Sequence, residues 1–394
     1  MPERAILKSR NKLLKKSFVQ LESVLRQIQF PSSVSSLLHP CRSQLVDLCS
    51  NNIKLVERNL LLLDLEMPDL LPDILSNTEQ AMRVQRLINT HFIAPLLRIT
   101  SHDALVLQII AWMHQGHNAT TKLPAVFASG PPSVRPFVHL IPLYYFPHIE
   151  QNSLLGLPLL FHEFGHVLYQ LSLPEMQDLT RELQDKIEQR LRLRLNRAQV
   201  ILQPKLAEHR QHVIDVWGRW IEEFFCDAVG LIIGGPAFLL AVTQYIEGMS
   251  RDDFSRSVEG LKASTHPINW RRIRLLTARA RAFGWEKEAE AIEETWKIIA
   301  RILQVTDENN GFDGPELDKD ITRAIDDMLT VVDLDPMDRQ HTYHESHTLL
   351  DNPISLLNCA WQRYQIDEDQ YALWETVQVS TFLGIESEPP YGFC

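Results

Sequence analysis

Residues 157–171 read Leu-Pro-Leu-Leu-Phe-His-Glu-Phe-Gly-His-Val-Leu-Tyr-Gln-Leu, an apolar run broken by His162, Glu163 and His166. On a helix, residues four apart stand one turn above each other, so His162 and His166 can reach one ion from the same face. Glu163 is one residue on from His162 and is rotated round the helix, within reach of a water on that ion but off the coordination positions. Two imidazoles and a carboxylate are costly to bury in such a helix without a metal or dense hydrogen bonding. The pattern therefore predicts a metal site: one zinc ion, with Glu163 as general base.

A catalytic zinc takes three protein ligands and keeps a fourth position for water, so the chain must supply one more donor. The extension with Gly three and His six residues beyond the second histidine fails, because Tyr169 and Ser172 stand there. Downstream, residues 220–231 (WIEEFFCDAVGL) carry Glu222, Glu223 and Asp227 within an otherwise apolar helical stretch. Glu223 and Asp227 share a face, which makes Glu223 the expected third ligand and Asp227 the acceptor that orients one ligand imidazole. Glu222 is the fallback ligand; His209, His212 and His266 rank lower. Cys226 is expected to point away as a small buried hydrophobe, and Trp217, Trp220, Phe224 and Phe225 to pack round the metal helices.

The order of these motifs resembles the gluzincin clan of zinc peptidases at His162, Glu163, His166, Glu223 and Asp227. Ser264-Thr265-His266-Pro267, followed by Arg271, Arg272 and Ile273, is similar to the segment after the third ligand in the CAAX-prenyl-protease-like family. The resemblance spans roughly residues 137–276 and implies a zincin-like core of two active-site helices in a soluble, divergent relative. It further implies that His266, or an arginine among Arg271, Arg272 and Arg274, stabilises the oxyanion of the tetrahedral intermediate. An edge strand within residues 136–146 (PFVHLIPLYYF) would bind an extended peptide by strand addition.

Around this core the texture is mainly helical. Apolar residues recur at three and four from Ser17 to Ile110, as in residues 18–28 (FVQLESVLRQI). Residues 122–150 are rich in Pro, β-branched and aromatic residues and predict two or three short strands, with Pro136 and Pro142 indicating an edge. Helical period returns after Leu154 and continues to Leu303, Pro204 marking a break and residues 190–197 (RLRLRLNR) reading as a solvated face. The Gly-, Asn- and Asp-rich stretch after Gln304 opens an acidic C-terminal portion. The expected organisation is a helical region 1–120, a metal core 121–303 with a helical insertion 174–210, and a helical region 304–394. The expected class is α+β, mostly helical, with a small mixed sheet.

Composition narrows the partners. The chain of 394 residues carries a formal charge of −11 and is 45% apolar, which favours a packed core and disfavours a broad nucleic-acid surface. Five scattered cysteines and the lack of an apolar leader predict a cytoplasmic location. The longest apolar stretch, 228–242, is too short to span a bilayer and is broken by Gly234, Gly235 and Pro236. A protein or peptide substrate is expected. The alternative is a silent or latent metal-stabilised scaffold, with a regulatory protein partner.

Overall fold

Leu7, Asn11, Leu14, Phe18, Leu21, Leu25 and Ile28 are all buried, and their alternating spacing of four and three is the seven-residue repeat of a coiled-coil seam. These residues lie along α1 (Pro2–Gln27) and its exit, and α1 packs against α2 (Ser32–Asp64) and α3 (Leu71–Leu87). The fold is known from a computed structural model, which describes residues 2–65, 68–136, 141–190, 203–256, 260, 264, 266–305, 317–334 and 353–384. The leucine–arginine stretch beyond Arg190, Thr265 and most of the loop after Gln304 lie outside the described residues.

One polar residue interrupts that seam. Asn11 donates to the Leu7 carbonyl and to Thr78 Oγ1, both at 2.9 Å, and accepts from Asn59 Nδ2 at 3.2 Å. Since α1, α2 and α3 each contribute a member, only one register satisfies all three side chains.

The chain divides into two compact units that are not consecutive stretches: Met1–Gln115 with Lys122–Pro131 and His139–Asn152, and Gly116–Thr121 with Pro132–Val138 and Ser153–Cys394. This differs from the expected division into regions 1–120, 121–303 and 304–394. In the first unit the helix passes through a π turn (Ile88–Phe92) into α4 (Ile93–Arg98), and the almost wholly buried α5 (Ala104–Gln115) follows. There β1 (Val126–Ser129) pairs in parallel with β3 (Leu143–Phe146), Val126 opposite Leu143. Tyr144 of β3 is fixed by a 2.9 Å hydrogen bond between its hydroxyl and His114 Nε2.

The second unit holds β2 (Ser133–Arg135), α6 (Leu159–Leu171), α7 (Leu173–Arg190) and the long α8 (Pro204–Gly234). Pro204 marks the expected break as the first residue of α8, where its missing N–H costs nothing. Gly235, with φ of +60°, turns the chain into α9 (Pro236–Ile246). The corner is clamped by Asn358 of α13 (Pro353–Ile366), which accepts from the Ala237 N–H and donates to the Gly234 carbonyl. The apolar stretch 228–242 is thus two buried helices, and no single described helix is long and apolar enough to cross a membrane. The remaining helices are α10 (Asn269–Ala282), α11 (Glu286–Ile302), α12 (Asp318–Val332) and α14 (Glu368–Leu383).

The chain is α+β and mostly helical, its strands being few and short. One strand expectation changes. The described strand that packs along α6 is β2, whereas residues 136–146 contribute β3 to the other unit and residues 137–140 lie outside the described set. Both prolines fall just outside strands, Pro136 after β2 and Pro142 before β3, as their lack of a donor requires.

Candidate metal centre

The metal-capable residues come from one helix crossing. Where α6 meets α8, a Cβ on Gly165 would stand 2.7 Å from Cys226 Cα and 3.0 Å from its Cβ and Sγ. Only glycine lets the backbones approach this closely. The approach sets His162 and His166 of α6 against Glu222, Glu223, Cys226 and Asp227 of α8. The imidazole centroids are 5.1 Å apart and their planes nearly perpendicular at 80°.

Each histidine has one nitrogen anchored. His162 Nδ1 lies 2.9 Å from Asp227 Oδ1, and His166 Nδ1 lies 2.8 Å from Glu222 Oε1. An ionised carboxylate can only accept, so both Nδ1 atoms donate and both rings are turned with Nε2 inward. The inward atoms converge on one carboxylate: His162 Nε2 is 3.5 Å from Glu223 Oε2, and His166 Nε2 is 3.7 Å from Glu223 Oε1. Glu223 Oε2 also lies 3.0 Å from His266 Nδ1. Nevertheless that oxygen is sealed from solvent and none of its contacts has hydrogen-bond geometry. A buried acceptor facing two imidazoles without bonding either fits a cation between them.

Three carboxyls gather in the interior: Glu163, Glu223 and Asp227 are 7%, 7% and 2% exposed. Arg272 holds Asp227 through two bonds, Nε to Oδ2 at 2.8 Å and Nη2 to Oδ1 at 2.6 Å. Burial would raise the Asp227 pKa, but Arg272 and His162 hold it below the usual carboxylate value. Burial likewise opposes ionisation of Glu223, yet the His162 and His266 imidazoles and the Arg272 charge keep its carboxyl well below that range. For His162 burial lowers the pKa, and the Asp227 and Glu223 carboxylates outweigh it to reach about 10.

Two residues compete to complete the histidine pair. His162, His166 and Cys226 form a group whose donor atoms all lie within 4.8 Å of one another and could hold a metal ion, while the convergence of the two Nε2 atoms is on Glu223. Cys226 was expected to point away from the ligands. It lies three residues beyond Glu223 and so stays on nearly the same side of α8. Its thiol is fully buried, and burial first, then the carboxylates of Glu222, Glu223, Glu163 and Asp227, push its pKa far up.

Other expected residues fall as follows. Glu163 has no hydrogen-bond or ion-pair partner among the described residues. His266 is the exposed member, its side chain 61% accessible, and marks the open side of the group. The three arginines lie against carboxylates of other helices: Arg272 against Asp227, and Arg271 and Arg274 each 2.7 Å from Asp318. Glu222, the fallback ligand, bonds His166 Nδ1 and does not face the inward Nε2 atoms, a pairing open to inference because a metal-binding histidine needs an acceptor for its other nitrogen. His209 and His212 sit 14 and 11 residues before Glu223 on α8, roughly 21 and 17 Å along the axis.

A scan against family models and searches of curated proteins and of solved structures each returned no match.

Proposed function

We propose that the chain is a zinc-dependent peptidase of gluzincin type with a zincin-like core, in which His162, His166 and Glu223 hold one zinc ion. The observation that carries this reading is the convergence of two inward-turned Nε2 atoms on one buried carboxylate, His162 facing Oε2 and His166 facing Oε1, with Oε2 left without a hydrogen bond. Zinc bound there supplies a Lewis acid for a carbonyl oxygen and a water whose pKa falls to about 7.

Glu163 would be the group that accepts a proton from the attacking water and returns it to the leaving amine, a role suited to a side chain with no other described partner. His266, exposed beside Glu223, donates to the oxygen on which negative charge develops. Asp227 and Glu222 fix the ligand rings through Nδ1, and Arg272 keeps Asp227 ionised. β2 along α6 is the strand placed to receive an extended protein or peptide substrate in a cytoplasmic setting.

The test is metal content together with turnover on a mixed peptide library. Wild type should carry about one zinc per chain, and Glu163→Gln should retain it while losing hydrolysis by about a hundredfold or more. Protein without zinc at neutral pH, or an active Glu163→Gln variant, overturns the assignment. A second reading, a latent or silent centre awaiting a regulatory partner, is favoured by the position of Cys226.

A further inference from the structure

The nearness of Cys226 bears on whether the centre is open to water. We infer that Cys226 is a fourth ligand of the ion held by His162, His166 and Glu223, closing the resting centre; this rests on the metal site proposed above.

Three observations carry it. Cys226 Sγ shares a 4.8 Å sphere of mutual distances with a nitrogen of each histidine. Tetrahedral donors with bonds of about 2.0–2.3 Å stand roughly 3.4–3.6 Å apart, so ligation asks a shift of about 1 Å. Secondly, the thiol is seated by a helix crossing rather than a loop, with Gly165 directly over it, so its place beside the His162 and His166 turns is built into the packing. Thirdly, Glu223, its side chain only 9% exposed, turns its unbonded Oε2 toward His162 Nε2 at 3.5 Å and its Oε1 toward His166 Nε2 at 3.7 Å. The two α8 donors therefore flank the histidine pair, and the cysteine is not an isolated thiol.

On binding, the Cys226 S–H proton passes to solvent as the sulfur–metal bond forms, and nothing is oxidised or reduced. Two imidazoles, one carboxylate and one thiolate complete a tetrahedral shell, as in zinc sites that do no turnover. The resting protein then lacks a position for the hydrolytic water until the thiolate lets go. The thiolate also gives the centre a soft donor that the three hard-to-borderline ligands lack, favouring soft ions such as cadmium and Cu(I) relative to an all-nitrogen-and-oxygen site.

The experiment uses the full chain. Zinc-loaded wild type is examined by X-ray absorption, and the cobalt-substituted protein by near-ultraviolet spectroscopy, beside Cys226→Ala and His162→Ala. A sulfur shell at about 2.3 Å and a thiolate-to-cobalt charge-transfer band, both lost in Cys226→Ala with metal affinity at least about tenfold lower, support the inference. Metal bound by nitrogen and oxygen alone, with no such band, overturns it while leaving the zinc site standing. No stoichiometric metal in wild type overturns both. The absorption measurement on wild type decides the question even if Cys226→Ala folds poorly.

Discussion

Asp227 serves two partners at once: it orients His162 and neutralises Arg272, a guanidinium with only 8% of its side chain accessible. Removing its charge strands Arg272 in the interior, and an unpaired buried charge is far more costly than a missing pair. Asp227→Asn should lower unfolding free energy by about 3–5 kcal/mol and zinc affinity about 10–100-fold. Replacing both residues, Asp227→Leu with Arg272→Met, should recover most of the stability but not the affinity, because His162 Nδ1 still lacks its acceptor. Urea titration and zinc competition on the same samples check this; an unaltered zinc affinity in both variants would show that His162 needs no such anchor. Glu222 performs the same orienting task for His166 with a 38% accessible side chain, so its loss strands no buried cation.

Among the elements, the coiled-coil packing of α1 on α2 and α3 is specified by apolar spacing and by one polar cluster. Asn11 joins Leu7, Asn59 and Thr78 with all of its side-chain capacity directed inward. Asn11→Ala leaves the Asn59 and Thr78 groups buried without their partner and should cost about 1–3 kcal/mol, read as a lowered urea midpoint. Zinc content should stay unchanged, since the metal group lies wholly in the other unit. A midpoint equal to wild type would mean that the cluster contributes no more than water would. On the opposite side of that distinction stands α12, an acidic helix tied to α10 through Asp318 with Arg271 and Arg274, and to α7 through Asp320 with Arg190. Those pairs commit Arg271 and Arg274 to contacts between helices, whereas Arg272 turns to Asp227 beside the histidines.

For the whole molecule, the proposed site would link metal to fold, because its donors come from two helices far apart in sequence. An ion bound only by the native crossing stabilises it by about 2.7 kcal/mol at a hundred times its dissociation constant. Chelation should then lower the thermal midpoint of the second unit by roughly 5–10 °C, with re-addition of zinc restoring it. A midpoint indifferent to chelator would exclude the ion from the folding of that unit. By itself the sequence determined what neighbours along the chain can determine: the helical period, the strand-rich break near residue 130, and the pairing of His162 with His166 and of Glu223 with Asp227. Those features depend on 3.6 residues per turn and on nothing remote. Which face of α8 meets α6, and at what depth, depends on the approach permitted by Gly165, and a single helix cannot reveal it. That approach set Glu222 against His166 and Asp227 against His162, and brought Cys226 Sγ within 4.8 Å of a nitrogen of each histidine. Each is a relation between two surfaces, and only tertiary packing brings two surfaces together.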